Sequence, residues 1–80
     1  MKTDRFAKAN EIIAEVLDMD EGDIESQMSL VDDLKANELD IVEILTDIES
    51  EYFISLTDAE FVGIDTVDDI YRVIIGRQWV

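Results

Sequence analysis

Apolar residues recur at helical spacing in three separate stretches of this chain, and nowhere do they alternate over a length that would make a strand. Phe6, Ala9, Ile13, Val16 and Leu17 predict a first helix over about Thr3 to Asp18. Leu39, Val42, Leu45, Ile48 and Tyr52 predict a second helix, with Ile41 and Ile44 widening its stripe. Val67, Ile70, Tyr71, Ile74 and Ile75 predict a last one, and Gly76 marks its expected fraying end. Three amphipathic helices in 80 residues leave a small all-α bundle as the expected fold, one domain over residues 1–80.

The helix starts are written in capping residues. Asn37 is a good N-cap, and Glu38 and Asp40 then fall in the first turn, where carboxylates favour the helix dipole. Thr57-Asp58-Ala59-Glu60 matches a capping box and predicts a short extra helix. Thr66-Val67-Asp68-Asp69 is a related, weaker box that opens the last helix. Between the first two helices lies a long loop, which Ile24, Met28, Leu30 and Val31 are expected to pin to the core. Tyr52, Phe53, Phe61 and Tyr71 are expected to pack the interior, whereas Trp79 has no role legible from its position.

Charge narrows the function. The chain has 21 acidic and 6 basic residues, a formal net charge of -15. Residues 31–69 hold thirteen acids and a single base, Lys35. Such a surface disfavours nucleic acid and anionic membranes and attracts proteins with basic patches. No cysteine or histidine is present, so disulfides, thiolate nucleophiles, the usual zinc sites and histidine general bases are excluded. Asp18, Asp20 and Asp23 invite comparison with a calcium loop, but position 5 from Asp18 is Gly22 and position 12 is Ser29, so the pattern fails and no metal site is expected. No apolar run approaches a membrane span, and a cytoplasmic monomer is the expectation. With no nucleophile, base or phosphate loop beside the carboxylates, no enzyme is expected either.

Ser29-Leu30-Val31-Asp32-Asp33-Leu34, then Lys35-Ala36-Asn37-Glu38-Leu39-Asp40, then Ile41-Val42-Glu43 form the most specific motif. This run resembles the attachment region of the acyl carrier protein family, roughly V-D-D-L-G-A-D-S-L-D-x-V-E. Ile12-Ile13-Ala14-Glu15-Val16-Leu17, Glu49-Ser50-Glu51-Tyr52-Phe53 and Ile64-Asp65-Thr66-Val67-Asp68-Asp69 resemble further family segments in the same order, so the likeness spans about residues 6 to 76. The resemblance implies three longer helices, one short helix and a long first loop. It also implies a serine that carries 4'-phosphopantetheine, but the matching position is Glu38, flanked by Asn37 and Leu39. A carboxylate has no hydroxyl with which to attack coenzyme A, so no prosthetic group is expected there.

Three departures from the family, Lys35, Asn37 and Glu38, cluster in one loop. The resemblance places Asp40 and Glu43 where the family presents acids to basic enzymes. Asp47, Glu49 and Glu51 extend that strip, and Leu39 and Val42 supply apolar contacts beside it. Glu43, Asp47, Glu49 and Glu51 fall off the apolar stripe and are expected to face solvent. The expected function is that of a carrier-like protein of fatty acid, polyketide or lipid assembly that lacks its arm and docks basic partners. Two other readings stay open: a working carrier modified at Ser26, Ser29, Ser50 or Ser55, and an acidic interaction or inhibitory protein outside lipid metabolism.

Overall fold

A computed structural model describes residues 6–77. Its elements in chain order are α1 (Ala7–Leu17), a 3-10 turn (Glu21–Asp23), α2 (Glu38–Tyr52), the short α3 (Asp58–Gly63) and α4 (Val67–Arg77). Among the described residues no strand forms, and Ser29 and Thr66 make one isolated antiparallel bridge. The fold is the expected all-α bundle. The start of the first helix at Thr3, and Trp79, fall outside the described residues.

Each capping residue does what its chemistry allows. The Asn37 side chain accepts from the Asp40 N–H at 2.8 Å, and the Asp40 carboxylate accepts from the Asn37 N–H at 3.1 Å. Thr57 and Glu60 exchange the same pair of bonds at 3.1 and 2.9 Å, as do Thr66 and Asp69 at 3.2 and 3.1 Å. Helix α1 has no such residue, since Phe6 precedes it and caps nothing with its side chain. The Tyr52 hydroxyl, from the last turn of α2, instead accepts from the buried Ala9 N–H at 3.0 Å. A long-range phenol thus accepts from a first-turn donor of α1.

The core lies where the four helices and the loop meet. Ile13 of α1, Ile44, Leu45 and Ile48 of α2, and Val67, Ile70 and Ile74 of α4 have no exposed surface. Truncating any of the larger ones to alanine would cost roughly 2–5 kcal/mol. The long loop joins this core through fully buried Leu30 and through Ile24. Its carbonyls also serve α4: Val67 N–H donates to Met28 O at 3.0 Å and Asp68 N–H to Ser26 O at 2.8 Å, while Leu30 N–H donates to Asp65 O at 2.8 Å. The loop is therefore held by the unpaired donors of a helix start as well as by burial.

Several expectations about individual side chains are corrected. Val31 is 51% exposed and does not pin the loop. Leu39 and Val42 share the helical spacing of the buried Leu45 and Ile48 but are 79% and 44% exposed. Phe53 is 92% exposed: it ends α2 in the left-handed region (φ 56°), which turns its side chain off the helix face. Phe61 and Tyr71 do pack against the core, partly buried, whereas Ile75 is half exposed. Glu49 does not simply face solvent, since its carboxylate accepts from the Leu56 N–H at 2.7 Å and fixes the turn after α2. Helix α4 continues through Gly76 to Arg77.

Candidate functional site

The loop that leads into α2 is tightly bonded. The Ser29 hydroxyl accepts from the Asp32 N–H at 3.1 Å and donates to the Asp65 carboxylate at 3.3 Å, and the Asp33 carboxylate accepts from the Ser29 N–H at 2.7 Å. Ala36 N–H donates to Leu30 O at 2.8 Å, closing the turn that delivers Asn37 to the helix start. Lys35, inside that turn, adopts φ 61°. A side chain there costs about 1–2 kcal/mol relative to ordinary backbone, whereas glycine would adopt the same angle freely.

Glu38 is the first residue of α2, and its side chain is exposed. Its negative charge lies at the positive end of the helix, an arrangement worth about 0.3–1 kcal/mol. A phosphoester at this point needs a hydroxyl, and Asn37, Glu38 and Leu39 offer none. The residues here do not fit a phosphopantetheine arm. Ser26, Ser50 and Ser55 are exposed elsewhere, and the Ser29 oxygen is already held between Asp32 and Asp65.

The candidate docking residues separate into two groups. Glu43, Asp47 and Glu51 are exposed along α2, and among the described residues none of them forms an ion pair. Leu39 and Val42 stand exposed on the first turns of the same helix. Asp40 and Glu49 are half buried and already accept backbone N–H groups, so part of their charge is spent on the fold. Among the described residues the ion pairs lie elsewhere, in Lys8–Glu11 of α1, Arg72–Asp68 of α4 and Arg77–Glu60 between α4 and α3. Among the described residues no group of three or more acids is placed to hold a metal; Asp20 instead caps the 3-10 turn by accepting from Gly22 N–H at 3.1 Å.

Two carboxyls beyond α2 titrate below their ordinary values. The Thr57 N–H holds Glu60 down, helped by the Arg77 guanidinium, and the N–H groups of Asp65 and Thr66 do the same for Asp69. Both acids are structural caps, which explains their preference for the charged form.

Beside Glu38 the surface opens into a groove of about 510 Å³ between α2, α3 and the long loop. Ala36, Ile41 and Ile64 lie deep in its lining, Val31, Val42 and Val62 at its exposed edges, and Glu38 is its sole charged lining residue. Sequence reasoning did not find this groove, because Val62 sits on a six-residue helix too short to show a period.

Comparison with known proteins agrees with this architecture. The family described as "Phosphopantetheine attachment site" matches residues 8–74. The chain is 41% identical over 69 residues to an acyl carrier protein of Thermotoga maritima, covering 86% of this chain and 85% of that one. It is 41% identical over 71 residues to an acyl carrier protein of Rickettsia massiliae, covering 89% and 83%. Among solved structures, a putative acyl carrier protein from Mycobacterium tuberculosis superposes with a TM-score of 0.82 at 30% identity, covering 86% of this chain and 92% of the other. No helix among the described residues is long and apolar enough to cross a membrane.

Proposed function

The chain belongs to the acyl carrier protein family, and on that premise we propose that it acts without a prosthetic arm, docking basic partner proteins through the exposed face of α2. The partners are enzymes of fatty acid, polyketide or lipid assembly, and the protein serves them as regulator, decoy or adaptor rather than as catalyst. One feature supports this reading: the residue that the resemblance aligns with the family's attachment serine is a carboxylate, Glu38, exposed at the start of α2. The rest of the helix supports it. Glu43, Asp47 and Glu51 repel one another with no base between them, which disfavours the isolated molecule and is relieved when a cationic surface covers them. Exposed Leu39 and Val42 add apolar area at the same place.

The test is a binding titration of the unmodified protein against a ketoacyl synthase of fatty acid synthesis, at low and moderate salt. Binding is expected to weaken with salt and to be lost when Glu43, Asp47 and Glu51 are all changed to Lys. Binding that survives this reversal would remove α2 as the docking face. Absence of binding in both proteins would remove the proposed pathway.

A further inference from the structure

Among the described residues Asp18, Lys35 and Phe53 adopt the left-handed region, and no glycine has a positive φ. Aspartate is a residue type that tolerates this region. Lysine and phenylalanine are not, and each costs the fold stability that glycine at the same angle would restore. Burial does not offset that cost. Lys35 is exposed and forms no ion pair among the described residues, and Phe53 is 92% exposed. Two strained, exposed side chains that do so little for the free protein point to a contact outside it.

The two residues bracket α2. Lys35 precedes its first residue, Glu38, by three positions, and Phe53 directly follows its last, Tyr52. The fifteen residues between those ends span about 22 Å. Along the helix the exposed Glu43, Asp47 and Glu51 repeat every four residues, about 6 Å apart, in one row. Like charges at equal spacing attract a basic strip without fixing its place, because a strip shifted by one turn or reversed still meets most of them. The ends of the row differ, with a cation at one and an aromatic ring at the other.

We propose that Lys35 and Phe53 set the register and direction in which a basic partner docks along α2. The partner places a carboxylate against Lys35 and an arginine guanidinium over the ring of Phe53. This rests on the docking reading given under Proposed function and adds the specificity that a uniform row of acids lacks. A guanidinium suits Phe53 because the ring face attracts cations and the acid Glu51 lies two residues away. A partner surface of cations alone would meet Lys35 with repulsion, so the same residue rejects partners without the matching acid. A second copy of this chain would bring another net charge of -15 to the row.

Stability and binding, measured on the same variants, test it. Lys35→Gly and Phe53→Gly relieve the strain, so each should raise Tm by a few degrees in circular dichroism. Each should nevertheless weaken calorimetric binding to a ketoacyl synthase of fatty acid synthesis by about fivefold. The salt is set at about 0.15 M, where a Debye length of about 8 Å leaves mainly charges in contact. Net charge alone predicts the reverse for Lys35→Gly, since losing a base makes an acidic face more attractive to a basic partner. Lys35→Arg and Phe53→Trp keep the cation and the aromatic ring and should bind like the native protein. Unchanged or tighter binding by either glycine variant would overturn the two-ended register and leave docking by the acids of α2 standing. A fall in Tm for either would refute the strain premise. No binding by the native chain would remove the docking reading and this proposal with it. A dimer in sedimentation that Phe53→Gly dissociates would identify a second copy at Phe53 and also refute it.

Discussion

Lys35 occupies the left-handed region at φ 61° in the turn that delivers Asn37 to the start of α2, and two substitutions there separate backbone from charge. Lys35→Ala keeps a Cβ at that angle, so it leaves the strain and removes only the charge. Lys35 is the sole base among residues 31–69, but it is exposed, so this loss is worth a few tenths of a kcal/mol and shrinks with salt. Lys35→Gly removes the same charge and also the Cβ penalty of about 1–2 kcal/mol, part of which returns as the greater freedom of glycine in the unfolded chain. The glycine variant should therefore be more stable than the alanine variant by about 1 kcal/mol. For a domain of this size that is roughly 4–8 °C in Tm. Thermal unfolding by circular dichroism at moderate salt reads the difference directly. Equal melting temperatures for the two variants would refute the strain argument, because charge alone cannot distinguish them.

Three other perturbations have defined outcomes. Tyr52→Phe removes the acceptor of the buried Ala9 N–H and should lower stability by about 1–2 kcal/mol in denaturant titration, whereas a loss below a few tenths would mean that water replaces the phenol. Raising salt from about 10 to 300 mM should raise Tm, since the Debye length shortens from roughly 30 Å to under 8 Å across an acidic surface, and a flat or falling Tm would contradict net repulsion. Asp69 titrates below its ordinary value of 3.8 because the N–H groups of Asp65 and Thr66 favour its anion, so its stabilisation is complete above that pH and is lost as pH falls through the lower folded value. The stability gap between the native protein and Asp69→Asn should thus be constant near neutrality and shrink below about pH 3.8; a gap independent of pH would show that the charge on Asp69 plays no part.

The starts of α2, α3 and α4 were legible because their signals are local. Asn37, Thr57 and Thr66 each act on a donor three residues away, so the sequence alone contains the whole interaction. Spacing alone does not separate exposed Leu39 and Val42 from buried Leu45 and Ile48, because it is the same whether or not a neighbour covers a residue. Phe53 was misplaced for a related reason: the left-handed residue that ends α2 changes the direction of its side chain without changing its place in the pattern. The Tyr52 bond to α1 spans 43 residues and has no local trace. Of the candidate site, Glu38 and the acids of α2 could be read directly, whereas the groove depends on bringing Val31, Val42 and Val62 together from three elements.

The claim that this carrier fold acts without its arm is tested most directly by intact mass after incubation with a promiscuous phosphopantetheinyl transferase and coenzyme A, for the native chain beside Glu38→Ser. The expected result is no mass gain on the native chain and one phosphopantetheine on Glu38→Ser, a scaffold still recognised and lacking only its hydroxyl. Mass gained by the native chain would contradict the claim and place the arm on another residue, with the exposed Ser26, Ser50 and Ser55 the first to examine.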